Sequence, residues 1–280
     1  MSARRSPAAR TPGRKRVRPA RRRRGASTRG PVIVAVAASL VALVAVAALI
    51  GLAVGGGEGA TEARDGDAPG VVAPDVRSTR IDAAPVPADR SIAALADPEW
   101  VAEIAGRTGI PIRPLSAYAG ATLRLAQELP ACGLEWTTLA AIGRVETVHA
   151  TIFDSALDDG GVSTPPIVGI PLDGDGVLAI PDSDGGVLDG DGEWDRAVGP
   201  MQFIPTTWTL IGADGNADGA ADPQQIDDAV LTAARYLCQH DRDLTDPGDW
   251  VSAVHAYNPN TEYNASVADF ADRYATAANG

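Results

Sequence analysis

The sequence predicts a mainly α-helical domain that carries a long loop or β-hairpin insertion and is preceded by one membrane-spanning helix. Three observations predict it. Residues 31–55 form an uncharged run built almost wholly of Val, Ala, Leu, Ile and Gly. Apolar residues recur at helical spacing through most of 97–280. Between Thr151 and Asp195 that spacing gives way to short apolar pieces punctuated by Gly, Asp and Pro.

The apolar run of 25 residues is long enough to cross a hydrocarbon core of ~30 Å as a helix. Residues 1–30 before it hold twelve of the 24 basic residues and no acid, so by the positive-inside tendency this arm stays cytoplasmic and the C-terminal bulk lies outside. A cleavable signal peptide is the rival reading; its apolar region usually spans about 7–15 residues, shorter than this one. Residues 56–96, rich in Ala, Pro, Asp and Gly without periodicity, read as a disordered linker. Residues 97–280 suit one domain.

The net charge of −12 hides two opposed parts, because all 36 acids face only the twelve basic residues outside the arm. So acidic a domain is a poor nucleic-acid binder, since phosphate contact needs clustered Lys and Arg. Cys132 and Cys238, an even pair outside the membrane, read as one disulfide closing a 106-residue loop, with two buried thiols as the alternative.

Within 97–280, Asp97-Pro98 starts a helix through Trp100 and Ile104. Leu115–Leu129 is a second helix, stopped by Pro130. A third runs from about Glu135 to Val148, with Trp136, Leu139, Ile142 and Val145 at helical spacing. Asp222-Pro223 and Asp246-Pro247 open two more, and Tyr263, Val267, Phe270 and Tyr274 mark the last. In the insertion, 166–170 and 177–180 are the pieces that could pair as strands; loops of such length are uncommon unless functional.

Glu146 shares a face with Leu139 and Ile142 near the end of the third helix. Partial desolvation there would raise its pKa and keep it protonated as a general acid near neutral pH. By position alone, a glutamate at a frayed helix end, paired with Arg144 or solvated, explains it as well. The company it keeps is more telling. Ala141 to Thr147 (AIGRVET) is followed by Ala197 to Trp208 (AVGPMQFIPTTW) and then by Ala256-Tyr257-Asn258. In that order these motifs resemble the lytic transglycosylases with a lysozyme-like fold, and within them the membrane-bound murein transglycosylase B type in its actinobacterial form. The likeness covers about residues 97–275.

The resemblance implies that Glu146 is the single catalytic acid. It would protonate the glycosidic oxygen between N-acetylmuramic acid and N-acetylglucosamine in peptidoglycan, then act as base on the muramyl 6-hydroxyl to leave a 1,6-anhydro end. It further implies that Met201, Gln202 and Phe203 line the substrate groove, and that Tyr257 and Asn258 sit near the acid. No cofactor is required for such chemistry. Departures from the family pattern are Thr147, where Ser is common, and His149-Ala150, where a glycine-containing stretch is usual. Acids of the loop region, among them Asp154, Asp184 and Asp195, leave simple hydrolysis by a muramidase open if one approaches Glu146 across a water. A silent peptidoglycan-binding scaffold is the alternative of another class.

Asp214, Asn216 and Asp218, with the Ala220 carbonyl, have the spacing of a calcium loop, but Gln225 stands where a terminal glutamate belongs. The resemblance implies Asp228 as the missing ligand of a structural Ca2+. An Asx-rich turn that caps the next helix through Asp222 is the metal-free alternative. Asp173–Gly176 and Asp189–Gly192 read as turns. His149, His240 and His255 have no ligand spacing, and no zinc cluster, phosphate loop or serine elbow is present. The partners expected are therefore glycan strands and the cytoplasmic membrane; protein partners cannot be read from the sequence.

Overall fold

The computed structural model describes residues 71–74, 81 and 89–280. The arm 1–30, the predicted span 31–55 and most of the linker 56–96 lie outside the described residues. Among the described residues no helix is long and apolar enough to cross a membrane.

Seven helices build the domain: α1 (Pro98–Thr108), α2 (Ile112–Glu128), α3 (Trp136–Thr147), α4 (Pro205–Ile211), α5 (Ile226–Leu237), α6 (Pro247–Tyr257) and α7 (Thr261–Asn279). Side-chain caps start several of them. Asp97 accepts from the N–H groups of Glu99 and Trp100, Asp246 from those of Gly248 and Asp249, and each precedes a proline at the first helical position. Asp222-Pro223 does not start a helix. Asp222 instead caps a local turn through the N–H of Gln224, and α5 begins at Ile226 under the Gln225 side chain, which accepts from Asp227 and Asp228.

Helix α3 lies at the centre, packed on α2 and α7. Leu139, Ala140, Ala141 and Ile142 are completely buried, and Trp136 meets Trp100 of α1 edge-on at 5.7 Å. Each fully buried side chain of leucine size contributes roughly 1.5–3 kcal/mol relative to exposure. The Trp250 indole N–H donates to Thr138 Oγ1 at 3.0 Å and ties α6 to the same helix. Cys132 and Cys238 form a disulfide that joins the region after α2 to the end of α5.

Residues just before α1, assigned to the linker by composition, pack against the domain. Ile92 is buried and its N–H donates to the Gly215 carbonyl, Arg124 donates to the Arg90 carbonyl, and Ser91 Oγ donates to Asp227. Arg113 of α2 forms a two-point ion pair with the same buried Asp227 at 2.7 and 2.9 Å.

Two short antiparallel pairs order the insertion. Strands β1 (Ala156–Leu157) and β2 (Ser163–Thr164) make a hairpin, while β3 (Val168–Pro171) pairs with β4 (Arg196–Val198). The partner of the 166–170 piece is thus a strand after the loop. The 177–180 piece contributes only isolated bridging, Asp173 with Ala179.

Candidate active site

Glu146 sits on the last turn of α3, half-buried. Burial pushes its carboxyl up to about 8, and a hydrogen bond from Tyr263 works in the opposite direction. The Tyr263 hydroxyl donates to Glu146 Oε1 at 2.7 Å. Tyr263 belongs to α7, is itself buried, and has its pKa raised well above 10, first by burial and then by the neighbouring carboxyl. It therefore stays a hydroxyl donor at any working pH. Arg144 does not pair with the glutamate; its guanidinium lies over the Phe270 ring, 5.3 Å from the centroid.

Three segments meet around this carboxyl. The first is the end of α3, where Thr147 Oγ1 donates to the Pro200 carbonyl at 2.7 Å. The second is the turn after β4, in which Val198 and Phe203 exchange both backbone hydrogen bonds. Gly199 takes φ 75°, and a Cβ there would run into the Pro223 carbonyl, so glycine is required. Gln202 takes φ 50° and its amide N–H donates to the Gly199 carbonyl at 3.0 Å, closing the turn from inside. The third segment is the corner between α6 and α7. The Tyr257 hydroxyl donates to the Met201 carbonyl at 2.7 Å, joining that corner to the turn.

Met201, Phe203 and Asn258 are buried. Phe203 packs between Trp208 and Tyr257, at 5.6 and 5.9 Å between ring centres. Asn258 Oδ1 accepts from the Asn260 N–H and its carbonyl accepts from Asn264 Nδ2, so it shapes the corner from which Tyr263 projects. These residues hold the corner to the turn, and Thr147 holds the turn to the end of α3.

In the sequence Tyr263 shows only as one apolar mark of the last helix. The only available signal was its place just after Tyr257-Asn258, because the contact to Glu146 spans 117 residues of chain. His149 shows in the sequence as a departure from the family pattern without ligand spacing, in a structural or surface role. Its ring is buried between Tyr118 Oη, 3.1 Å from Nδ1, and Tyr274 Oη, 2.9 Å from Nε2. Burial, and then Arg144, push its pKa down to about 3, so the imidazole is neutral.

Several acids of the insertion accept from its own backbone. Asp184 accepts from the N–H groups of Gly186, Val187 and Leu188. Asp195, completely buried, accepts from Ser183 and Thr206, and Asp154 is exposed. Oxygens of Asp182, Asp184 and Asp195 lie within 4.8 Å of one another.

In the 214–220 loop the donor chemistry suits a hard cation, all of it oxygen. The arrangement, however, is closed by hydrogen bonds. Asp214 accepts from Ala217, Asp218 and Gly219, and Asn216 donates to Asp218. Asp228 Oδ1 accepts from Gly215 and Asn216 and Oδ2 from Asp222, bracing the loop from behind. Burial raises the Asp228 carboxyl to about 6 against those three donors. Among the described residues the carboxylates of Asp214, Asp218 and Asp228 do not converge as the Asp182 group does.

With this geometry in view, comparison with protein families gives one result. Residues 179–268 match the family described as the Transglycosylase SLT domain. The match supports a domain of lytic transglycosylase type, with peptidoglycan as the substrate that family implies, and the mainly helical fold agrees with it. It covers the Gly199–Phe203 turn, Tyr257-Asn258 and Tyr263, and begins after α3, so Glu146 lies outside it. No curated protein and no solved structure matches the chain.

Proposed function

We propose that the protein is a peptidoglycan lytic transglycosylase that cleaves the bond between N-acetylmuramic acid and N-acetylglucosamine and leaves 1,6-anhydro-muramyl ends. One observation carries this reading: the desolvated Glu146 carboxyl, held at 2.7 Å by Tyr263, a residue of the matched segment. Raised to about 8, the carboxyl is protonated at neutral pH and can act as the acid on the glycosidic oxygen. Because Oε1 accepts from Tyr263, the proton to be transferred resides on the other oxygen. Once it leaves, the Tyr263 hydroxyl stabilises the carboxylate, which is then placed to take the proton of the muramyl 6-hydroxyl as that oxygen attacks its own anomeric carbon. No second carboxylate takes part, in contrast to the usual two-carboxylate arrangement.

The test is digestion of purified peptidoglycan with mass analysis of the products. The wild type should release anhydro-muramyl ends and Glu146→Gln at least about a hundredfold fewer. Hydrolytic reducing ends in their place would turn the reading to a muramidase. Glycan binding without cleavage by the wild type would leave a scaffold.

The proposal extends to place and metal. The basic arm and the apolar run support a single-pass anchor in the cytoplasmic membrane with the domain on the wall side, and the ordered motifs at 141–147, 197–208 and 256–258 support the murein transglycosylase B type in its actinobacterial form. The oxygen-only donor set favours a structural Ca2+ at Asp214, Asn216, Asp218, Ala220 and Asp228, which would have to displace the hydrogen bonds that close the loop. A calcium-dependent rise in Tm that Asp218→Ala abolishes would support that ion, and a Tm indifferent to calcium would remove it.

A further inference from the structure

Immediately after Glu146 and Thr147 the backbone turns left-handed for three consecutive residues that are not glycine: Val148, His149 and Ala150, at φ 53°, 61° and 68°. Side chains of L-residues visit this region sparingly, and such a run persists only where its surroundings over-determine it. The surroundings are specific. The His149 N–H donates to the Gly143 carbonyl at 2.9 Å, and the Ala150 N–H to Thr147 Oγ1 at 2.9 Å. The His149 ring then reaches away from α3 to two other helices, meeting Tyr118 of α2 through Nδ1 and Tyr274 of α7 through Nε2. A neutral imidazole has one donor and one acceptor nitrogen, so it donates to one tyrosine and accepts from the other.

Gly143 makes this possible. A Cβ there would collide with the Tyr118 hydroxyl, so glycine one turn before Glu146 lets the tyrosine reach the ring. Helix α7 therefore holds the glutamate twice: Tyr263 bonds its carboxyl, and Tyr274, through His149, fixes the turn that carries its backbone.

We propose that His149 is a positioning residue for Glu146, setting the angle at which its carboxyl meets Tyr263 and the glycosidic oxygen by tying the turn behind it to α2 and α7. The inference rests on Glu146 being the proton donor. The charged and titratable groups facing the imidazole are Tyr118 of α2, Arg144 of α3 and Tyr274 of α7.

The test uses the full chain with His149→Phe, which fills the space without the two bonds, and His149→Gln, whose amide can donate and accept. On peptidoglycan, His149→Phe should lose about 10–100-fold in kcat with KM within about twofold, the scale of a small misplacement of a reacting group. His149→Gln should recover most of that loss. Independently of substrate, the 13C resonance of the Glu146 carboxyl should titrate near 8 in the wild type and shift toward the ordinary carboxyl range in His149→Phe. A lowered Tm with kcat and the Glu146 midpoint unchanged would overturn the proposal, since His149 would then be structural only. If His149→Phe does not fold, the pair Tyr118→Phe with Tyr274→Phe removes both bonds while keeping the ring. Unchanged kcat and midpoint there overturn it equally. A wild type that cleaves no glycan would sink the proposed function, and the carboxyl titration would still decide the positioning.

Discussion

Around Glu146, helices α2, α3 and α7 press fully buried apolar side chains together and add hydrogen bonds between helices far apart in sequence. In the 151–195 insertion the same chain turns its carboxylates on its own backbone. Asp182 accepts from Gly185, Asp184 from Leu188, Asp189 from Arg196 and Asp191 from Glu193. The helical body is held by burial, which follows from which residues are apolar. The insertion is held by Asx-type turns, which follow from where each aspartate stands relative to a glycine. One region should therefore respond to loss of packing or cross-links, and the other to loss or protonation of single carboxylates.

The sharpest break in this comparison is at Glu146, where the packed body holds a carboxyl that burial keeps protonated. Glu146→Gln should lower glycan cleavage by about 10²–10⁴-fold. It should also change the pH dependence of stability. Between the ordinary value of 4.5 and about 8 the folded protein keeps a proton that the unfolded chain has lost. Wild-type stability should fall as pH rises through that window, and Glu146→Gln should not follow it. At pH 9 the variant should be the more stable by about 1–2 kcal/mol in denaturant titrations, less than the full shift implies because Glu146 is only half-buried.

The disulfide tests the body without touching chemistry. Cys132→Ser with Cys238→Ser should cost about 2–5 kcal/mol, read as a lower Tm of the helical transition. In the insertion, Asp195→Ala removes the buried acceptor of Ser183 and Thr206 and should cost about 1–3 kcal/mol. Limited proteolysis should then cut within 173–195 first. Cleavage in α2 or α3 instead would show that the two regions are not separately held. The smallest effect is at Asp191, whose carboxyl is held below 3.8, chiefly by the Glu193 N–H. A lowered acid stabilises above its ordinary value and ceases to as pH falls through the folded one, so amide protection at Glu193 and Trp194 should fade below about 3.8.

These forces also decide what could be read from the sequence. Helices α1 and α6 were legible because aspartate, proline and an apolar stripe agree at their starts. Asp222-Pro223 carries the same opening signal, but Gln225 caps three residues later and wins. Helix α4, only seven residues long, gives too few turns for a period to show. The pairing of β3 with β4 skips the loop between them, and no local pattern encodes that. At the site, Glu146 and the 199–203 turn were legible as motifs. Tyr263 and His149 were not, because each acts on a group that only the packed helices bring within reach.

The contact between Tyr263 and Glu146 has a consequence for the order in which the protein becomes competent. The donor to the carboxyl resides on α7, which follows every other helix of the domain in chain order. A chain stopped short of α7 carries the glutamate without the hydroxyl that holds it and without Tyr274 behind it. The setting of the Glu146 carboxyl thus waits on a helix made well after α3, and a chain cut before α7 holds that carboxyl unset.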